Sequence, residues 1–365
     1  MLLHSIKIAF RRDGYLIYTG AHPKVTYVSP PNRPTISNVT ASPRAAKQAR
    51  RNTMSTTAIK RLGLSFLIFY CVASAAQQVA TDANSTTLPA RIIHGYLMIV
   101  SVAINDQGPF DFLVDTGTNT TLIDPALAKQ LVVQPTGKLQ LSSLAKSISV
   151  PRYFLQKFKV GPASVSNLEA LALPLTQLTS LDHEIRGVLG MNFLLQFSFR
   201  MDFDHSLMEL YPFPEDAQVP AGLRVPVTIN ESRLLVTVAS DAAPNGSWKL
   251  ALDSGICQAL VFEQRIEKSV VASNRFKKTS RMMQVSTNLA EHVAFTVDLN
   301  DLFIAEKRLP IMEVVILKND LQKSDPQDGL LPAVAFHSVF FDRSNATLIF
   351  SPSPEAAAMA SIQKR

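Results

Sequence analysis

The sequence contains two similar halves, and this duplication constrains the fold more than any other feature. An apolar run ends in Asp-Thr-Gly at residues 115–117, and a second apolar run ends in Asp-Ser-Gly at residues 253–255. The two triplets are about 140 residues apart, and glycine-bounded apolar segments beginning at Gly187 and Gly329 keep nearly the same spacing. Chance could repeat one triplet, but it would not also repeat the flanking segments at nearly the same spacing. The chain therefore contains two related units.

Segments inside both units have the alternation that is typical of half-buried strands. Residues 97–105 and 223–230 place apolar side chains at every second position. Gly108-Pro109 predicts a turn, after which residues 110–114 return as a second strand that leads into the first aspartate. The pattern therefore predicts closely spaced strands in each unit, with an acidic residue at the end of a buried strand.

The two triplets suit a chemistry based on paired carboxylates. Glycine allows a sharp turn and the close approach of a second backbone, and the hydroxyls of Thr116 and Ser254 can bond across to the opposite loop. Asp115 and Asp253 would then meet at the seam, where two close carboxylates share one proton and titrate as a pair. The ionised carboxylate takes a proton from water while the protonated one polarises a carbonyl, which is amide hydrolysis without a covalent intermediate.

Two segments of the first unit resemble those of a known family. FLVDTGTNTTLID at 112–124 looks like the active-site strand and loop of the retropepsin-like and pepsin-like aspartic proteases, and GVLGMNFL at 187–194 looks like the segment behind that loop. The resemblance covers about residues 92–352. It implies an all-β, two-lobed pepsin/retropepsin-like β-barrel fold with an internal duplication, and an aspartic endopeptidase that needs no cofactor.

The resemblance also implies a role for each residue of the two triplets. Asp115 and Asp253 match the catalytic pair of the family, one from each lobe. The supporting positions are the hydroxyls that brace the loops, Thr116 and Ser254, and the turn glycines, Gly117 and Gly255.

Several positions depart from the family pattern, mostly in the second unit. Ile256 follows the second triplet, where the family usually has a small or hydroxyl residue, and Pro332 stands where the first unit has Gly190. No clear flap tyrosine is evident, and residues 139–154 are the expected hairpin over the cleft, with Tyr153 as its candidate. The second lobe is therefore the more divergent copy.

These departures leave two alternatives to a single-chain protease. One is a catalytically impaired pseudoprotease of the same fold that binds peptides or a protein partner. The other is a homodimer in which Asp115 pairs with Asp115 of a second chain, as in the homodimeric branch of the family. The main prediction is a monomer acting on a peptide or protein substrate.

The N-terminal residues have the organisation of an export leader. Residues 54–75 contain a basic start, an apolar run from 62 to 72 and small residues before a cleavage site after Ala75, which is typical of a signal peptide. The apolar run is shorter than the roughly 20 residues of a membrane-spanning helix, although an anchor is the alternative. We expect a leader at 1–75 (a 53-residue extension or mis-start, then the signal peptide), a linker at 76–90, lobes at 91–216 and 217–352, and a tail at 353–365.

The charge distribution argues against a nucleic-acid partner. The chain has 36 Lys and Arg against 29 Asp and Glu, but eleven of the basic residues and only one acidic residue precede residue 76. The rest carries 25 basic and 28 acidic residues, so it has no excess of positive charge with which to bind nucleic acid. Cys257 is the single cysteine after the leader, and the histidines lack metal-ligand spacing. We expect no metal, membrane contact only through the leader, and export to the periplasm or medium.

Overall fold

The structure is a computed structural model in which short strands predominate over helices. It describes residues 79–80, 86–142, 147–211, 219–267, 278–286, 291–299, 301–309, 313–317 and 326–351. The predicted leader, the predicted tail and the predicted lobe boundary at 216–217 lie outside the described residues. The all-β prediction is confirmed.

The elements of the first unit are strands joined by short connections, with three short helices. In chain order the strands are β1 (Val79–Ala80), β2 (Thr86–Pro89), β3 (Arg91–Ile93), β4 (Leu97–Ile104), β5 (Gln107–Val114), β6 (Thr121–Ile123), β7 (Gly137–Ser142), β8 (Ser147–Val160), β9 (Ala163–Ala172), β10 (Ile185–Leu189), β11 (Ser198–Asp202) and β12 (Leu207–Tyr211). The helices are α1 (Pro125–Gln130), α2 (Thr176–Leu181) and α3 (Met191–Leu194).

The second unit follows the same plan with 3₁₀ turns in place of α-helices. Its strands are β13 (Leu223–Pro226), β14 (Thr228–Asn230), β15 (Arg233–Ala239), β16 (Ser247–Asp253), β17 (Ala259–Phe262), β18 (Lys278–Ser286), β19 (Glu291–Asp298), β20 (Phe303–Ile304), β21 (Lys307–Arg308), β22 (Glu313–Leu317), β23 (Gly329–Pro332), β24 (Ser338–Asp342) and β25 (Thr347–Ser351). The 3₁₀ turns span Glu263–Arg265 and Ala333–Ala335.

Strand pairing repeats in the two lobes. In the first lobe β5 pairs in parallel with β10, β10 pairs antiparallel with β6, and β6 pairs in parallel with β9. In the second lobe β16, β23, β17 and β22 pair in the same order and the same directions. The internal duplication read from the sequence is therefore present in the topology.

A third sheet joins the two lobes. Its order is β13-β25-β24-β11-β12-β2, so the closing hairpin of each unit, β11–β12 and β24–β25, contributes to one continuous sheet. Strands β11 and β24 are neighbours in it, and Phe199 pairs with Phe341 in register. The main hydrophobic cluster is continuous from Met98 in the first lobe to Phe350 at the end of the second. This shared core holds the two lobes in one position relative to each other.

Two local predictions from the sequence need correction. The segment predicted as a linker, 76–90, contains β1 and β2, and β2 pairs with β12 while Leu88 packs on the main core. The turn predicted at Gly108-Pro109 lies instead at Asn105 and Asp106, whose φ angles of 50° and 61° suit the two-residue hairpin turn between β4 and β5.

Other expectations are present in the fold. The predicted hairpin at 139–154 corresponds to β7 and β8, although residues 143–146 at its tip lie outside the described residues. Within the ranges given above, no helix is both long and apolar enough to cross a membrane.

Candidate active site

Two buried aspartates stand at equivalent places in the two lobes. Asp115 follows β5 and Asp253 ends β16, which are central strands flanked on both sides by other strands. The two residues are 0% and 1% exposed. The Asp115 backbone N–H still donates to the Leu189 carbonyl at 3.1 Å, so the sheet holds the chain up to the start of the loop.

The two loops are locked together by four reciprocal hydrogen bonds. The backbone N–H of Thr116 donates to Ser254 Oγ, and the backbone N–H of Ser254 donates to Thr116 Oγ1, both at 3.1 Å. The Thr116 hydroxyl donates to the Leu252 carbonyl and the Ser254 hydroxyl donates to the Val114 carbonyl, both at 2.9 Å. Each hydroxyl thus accepts one bond and donates another across the seam, as the sequence predicted for this pair.

The two carboxylates lie close to the glycines of both triplets. The N–H of Gly117 donates to Asp115 Oδ1 at 2.9 Å, and the N–H of Gly255 donates to Asp253 Oδ1 at 2.7 Å. A Cβ at Gly255 would lie 3.2 Å from Asp253 Oδ1 and 3.3 Å from Asp115 Oδ1. A Cβ at Gly117 would lie only 2.3 Å from Asp253 Oδ2. Glycine is required here because a carboxylate from the opposite lobe fills the space of its side chain.

Comparison with known proteins gives a family match for part of the first lobe. Residues 100–193 match the family model described as aspartyl protease. Residues 100–193 have the sequence of an aspartyl protease domain. This stretch contains the first triplet and ends within the helix α3 behind it, and the resemblance drawn from the sequence is confirmed by the match. A search of the curated proteins gave no match.

The first loop of the protease domain gives its carboxylate an extra hydrogen bond. The Thr118 hydroxyl donates to Asp115 Oδ2 at 2.9 Å, so both oxygens of Asp115 accept bonds from their own loop. Ile256 occupies the equivalent position in the second loop, is 1% exposed and packs in a separate apolar cluster of the second lobe. An isoleucine has no hydroxyl to donate, and the two carboxylates therefore sit in chemically different loops.

The segment behind the first loop of the protease domain supports it through the backbone. The N–H groups of Met191 and Asn192 donate to the carbonyls of Thr118 and Asn119 at 2.8 and 3.0 Å. Asn192 Oδ1 also accepts from both the backbone and the hydroxyl of Thr121 at 2.8 Å. Sequence reasoning missed Asn192; its signal was an amide side chain within the otherwise apolar run 187–195.

The corresponding segment of the second lobe is built differently. A Cβ at Gly190 would lie 2.5 Å from the Thr120 backbone, so the first lobe needs glycine there. Pro332 takes this place in the second lobe, pairs in register with Asp253 and leads into a 3₁₀ turn in place of α3. Because proline has no N–H and has a Cβ, the backbone behind the second loop cannot approach that loop as closely as Gly190 approaches Thr120 in the first.

Tyr96 is a second residue that sequence reasoning missed. It precedes β4, is 7% exposed and donates its backbone N–H to the Ile93 carbonyl at 3.2 Å. Burial raises the pKa of its phenol strongly, and the negative charges of Cys257 and Asp253 add to the rise. The sequence offered only a tyrosine directly after a turn, His94-Gly95, both with positive φ.

Other chemistry at the site is limited. In the part of the chain that the structure describes, no group of three or more His, Cys, Asp or Glu is placed to hold a metal ion. Cys257 is half-buried, and burial raises the pKa of its thiol to about 11, so the thiol stays protonated at neutral pH.

Proposed function

We propose that this protein is an aspartic endopeptidase that hydrolyses peptide bonds with a water activated between Asp115 and Asp253. The observation that supports the proposal is the interlocked pair of loops, in which two buried carboxylates from different lobes face one point. Thr116, Gly117, Ser254 and Gly255 act as supporting residues, because they hold that geometry without touching the substrate.

The reaction follows from one proton shared between two carboxyl groups. The ionised carboxylate removes a proton from the water as its oxygen attacks the carbonyl carbon, and the protonated carboxyl donates to the carbonyl oxygen. The tetrahedral intermediate then collapses, the C–N bond breaks and a proton from the dyad passes to the leaving amine. Because the singly protonated dyad is the competent form, we expect cleavage to be favoured at acidic pH.

A pseudoprotease is the second candidate function. Ile256 and Pro332 motivate it, since Ile256 has no hydroxyl like that of Thr118 and Pro332 replaces the glycine that lies behind the first loop. In that case the cleft binds peptides or a protein partner without cleaving them.

For the assembly we propose a monomer. Within one chain the Thr116 hydroxyl already donates to the Leu252 carbonyl and the Ser254 hydroxyl to the Val114 carbonyl, and this argues against pairing Asp115 with its copy in a second chain. Sedimentation of the active protein tests this point, and activity confined to a dimer would contradict it. We also propose export to the periplasm or medium, on the strength of the leader at 54–75.

The test is cleavage of an unstructured protein across a pH series. Asp115→Asn and Asp253→Asn should each reduce cleavage by at least about 1,000-fold, because each removes one half of the shared-proton pair. Asp106→Asn is the matched control, since Asp106 lies in an exposed turn and pairs only with Lys157 among the contacts described. A statine-type inhibitor should block the wild type.

The outcomes separate the candidate functions. Full activity of Asp253→Asn with loss in Asp115→Asn would refute the single-chain dyad. A wild type that is inactive throughout the acidic range but still binds peptide would establish the pseudoprotease instead.

A further inference from the structure

The loop that begins at Asp115 continues through a run of buried polar residues. Residues 118–121 are each at most 4% exposed, so their polar groups need hydrogen-bond partners within the protein. The carbonyl groups of Thr118 and Asn119 accept from the backbone of α3. Thr121, at the end of the loop, is instead held by a side chain of that helix.

The Asn192 side chain joins this end of the loop to a neighbouring strand. Its Oδ1 accepts from the backbone N–H and the hydroxyl of Thr121, both at 2.8 Å, and its Nδ2 donates to the Glu169 carbonyl of β9 at 2.7 Å. Thr121 and Ala170 are the first registered pair of β6 and β9. The amide therefore bridges the two strands where their pairing begins, and it fixes the point at which the loop ends.

A displacement at this point would reach Asp115 through Thr118. The Thr118 hydroxyl donates to Asp115 Oδ2 at 2.9 Å, and the Thr118 N–H donates to the Asp115 carbonyl at 3.4 Å. Only two residues separate Thr118 from Thr121, and both are buried. Because packed interiors deform little and transmit strain, a shift at Thr121 would also move the group that donates to the carboxylate.

The second lobe has no amide at the equivalent position. Pro332 corresponds to Gly190, so Val334 corresponds to Asn192. Val334 packs against an apolar cluster, and a valine side chain can neither donate nor accept a hydrogen bond. An amide bridge of this kind therefore supports the loop of Asp115 and not the loop of Asp253.

We propose that Asn192 is a positioning residue for Asp115, acting through Thr121 and Thr118. The proposal rests on the proposed dyad for its catalytic consequence. Both ends of the Asn192 amide are engaged by Thr121 and Glu169, so Asn192 acts on the reaction through the loop.

The first experiment measures kcat and KM for cleavage of a peptide at acidic pH. Asn192→Ala removes three hydrogen bonds and should lower kcat by about 10- to 100-fold with little change in KM, because a small displacement of a catalytic group has an effect of that size. Each kcat is divided by the folded fraction, which the fluorescence of the buried Trp248 measures. Asn345→Ala is the control, since it truncates an asparagine that donates to Asp342 in the turn between β24 and β25. It should leave kcat unchanged.

A second variant tests the route from Asn192 to Asp115. Thr121→Val removes the hydroxyl partner, leaves the amide in place and should lower kcat less than Asn192→Ala does. The double variant should lose no more kcat than Asn192→Ala alone, because both changes break the same contact. Additive losses would overturn the route through Thr121, and an unaltered kcat in Asn192→Ala would overturn the positioning role.

Amide hydrogen exchange tests the proposal without turnover. The Gly117 N–H donates to Asp115 and the Gly255 N–H donates to Asp253, so the two amides report separately on the two loops. In Asn192→Ala, exchange at Gly117 should accelerate by at least about tenfold, while exchange at Gly255 should change less than about twofold, because the lost support belongs to one loop.

The exchange result also separates the two proposals. Equal acceleration at Gly117 and Gly255 would indicate general loosening of the fold, and no acceleration at Gly117 would show that Asn192 does not hold the loop, so either result would refute the role of Asn192. A wild type that cleaves nothing, combined with acceleration at Gly117 alone, would refute the endopeptidase and leave the positioning of Asp115 standing.

Discussion

The substitution Thr116→Val tests the interlock between the two loops. Valine has nearly the same shape as threonine, so the substitution removes a hydroxyl with little change in packed volume. Thr116 is fully buried, and no water reaches the groups that its hydroxyl now satisfies. Two partners from the second lobe lose their bonds: the Leu252 carbonyl, which accepts at 2.9 Å, and the Ser254 N–H, which donates at 3.1 Å.

The expected loss follows from those two partners. A buried polar group left unsatisfied costs about 1–3 kcal/mol, so the free energy of unfolding should fall by about 2–6 kcal/mol. This exceeds the effect of ordinary surface substitutions, which remain within about 0.5 kcal/mol. Both lobes should lose stability, because the hydrogen bonds that are removed join one lobe to the other.

Urea-induced unfolding measures the effect with two probes. Trp248 is the single tryptophan of the chain, is 1% exposed and reports on the second lobe through its fluorescence. Far-ultraviolet circular dichroism reports on the strands of both lobes. Thr136→Val is the control, because Thr136 is exposed and its hydroxyl donates to the Arg152 carbonyl at 3.3 Å. A loss below about 0.5 kcal/mol for Thr116→Val, no larger than for the control, would refute the reasoning.

Two further changes test the close approach of the carboxylates and a surface ion pair. Gly117→Ala would place a Cβ 2.3 Å from Asp253 Oδ2, so we expect kcat to fall about 100-fold through displacement of that carboxylate, and an unaltered kcat would contradict the geometry. The Arg91 guanidinium holds the pKa of Asp182 below its ordinary value, so this pair adds stability above the unfolded-state pKa and loses it as pH falls through the folded-state pKa. Because Arg91 is 43% exposed, Asp182→Asn should cost at most about 1 kcal/mol at pH 7, and urea titrations should show that cost shrinking as the pH falls. A cost that did not shrink with falling pH would contradict this account.

The sequence determined the repeated plan of the protein because strand alternation and turn glycines are local properties. Residues 97–104 form the predicted strand β4, although its first four residues are all buried and do not alternate, and both triplets stand at the ends of buried strands as their apolar approaches predicted. Local patterns failed where two signals competed. Gly108-Pro109 predicted the position of the turn, but Asn105 and Asp106 form the turn, because their backbone conformations fit the hairpin.

Only the tertiary structure decided which groups meet at the seam. Thr116 and Ser254 are 138 residues apart, and their reciprocal bonds exist because the shared sheet and core bring the lobes face to face. Asn192 carries no local signature, since its role depends on a partner that belongs to another element. A periodic pattern records how one segment meets the core, whereas a contact between distant segments depends on how the whole chain packs.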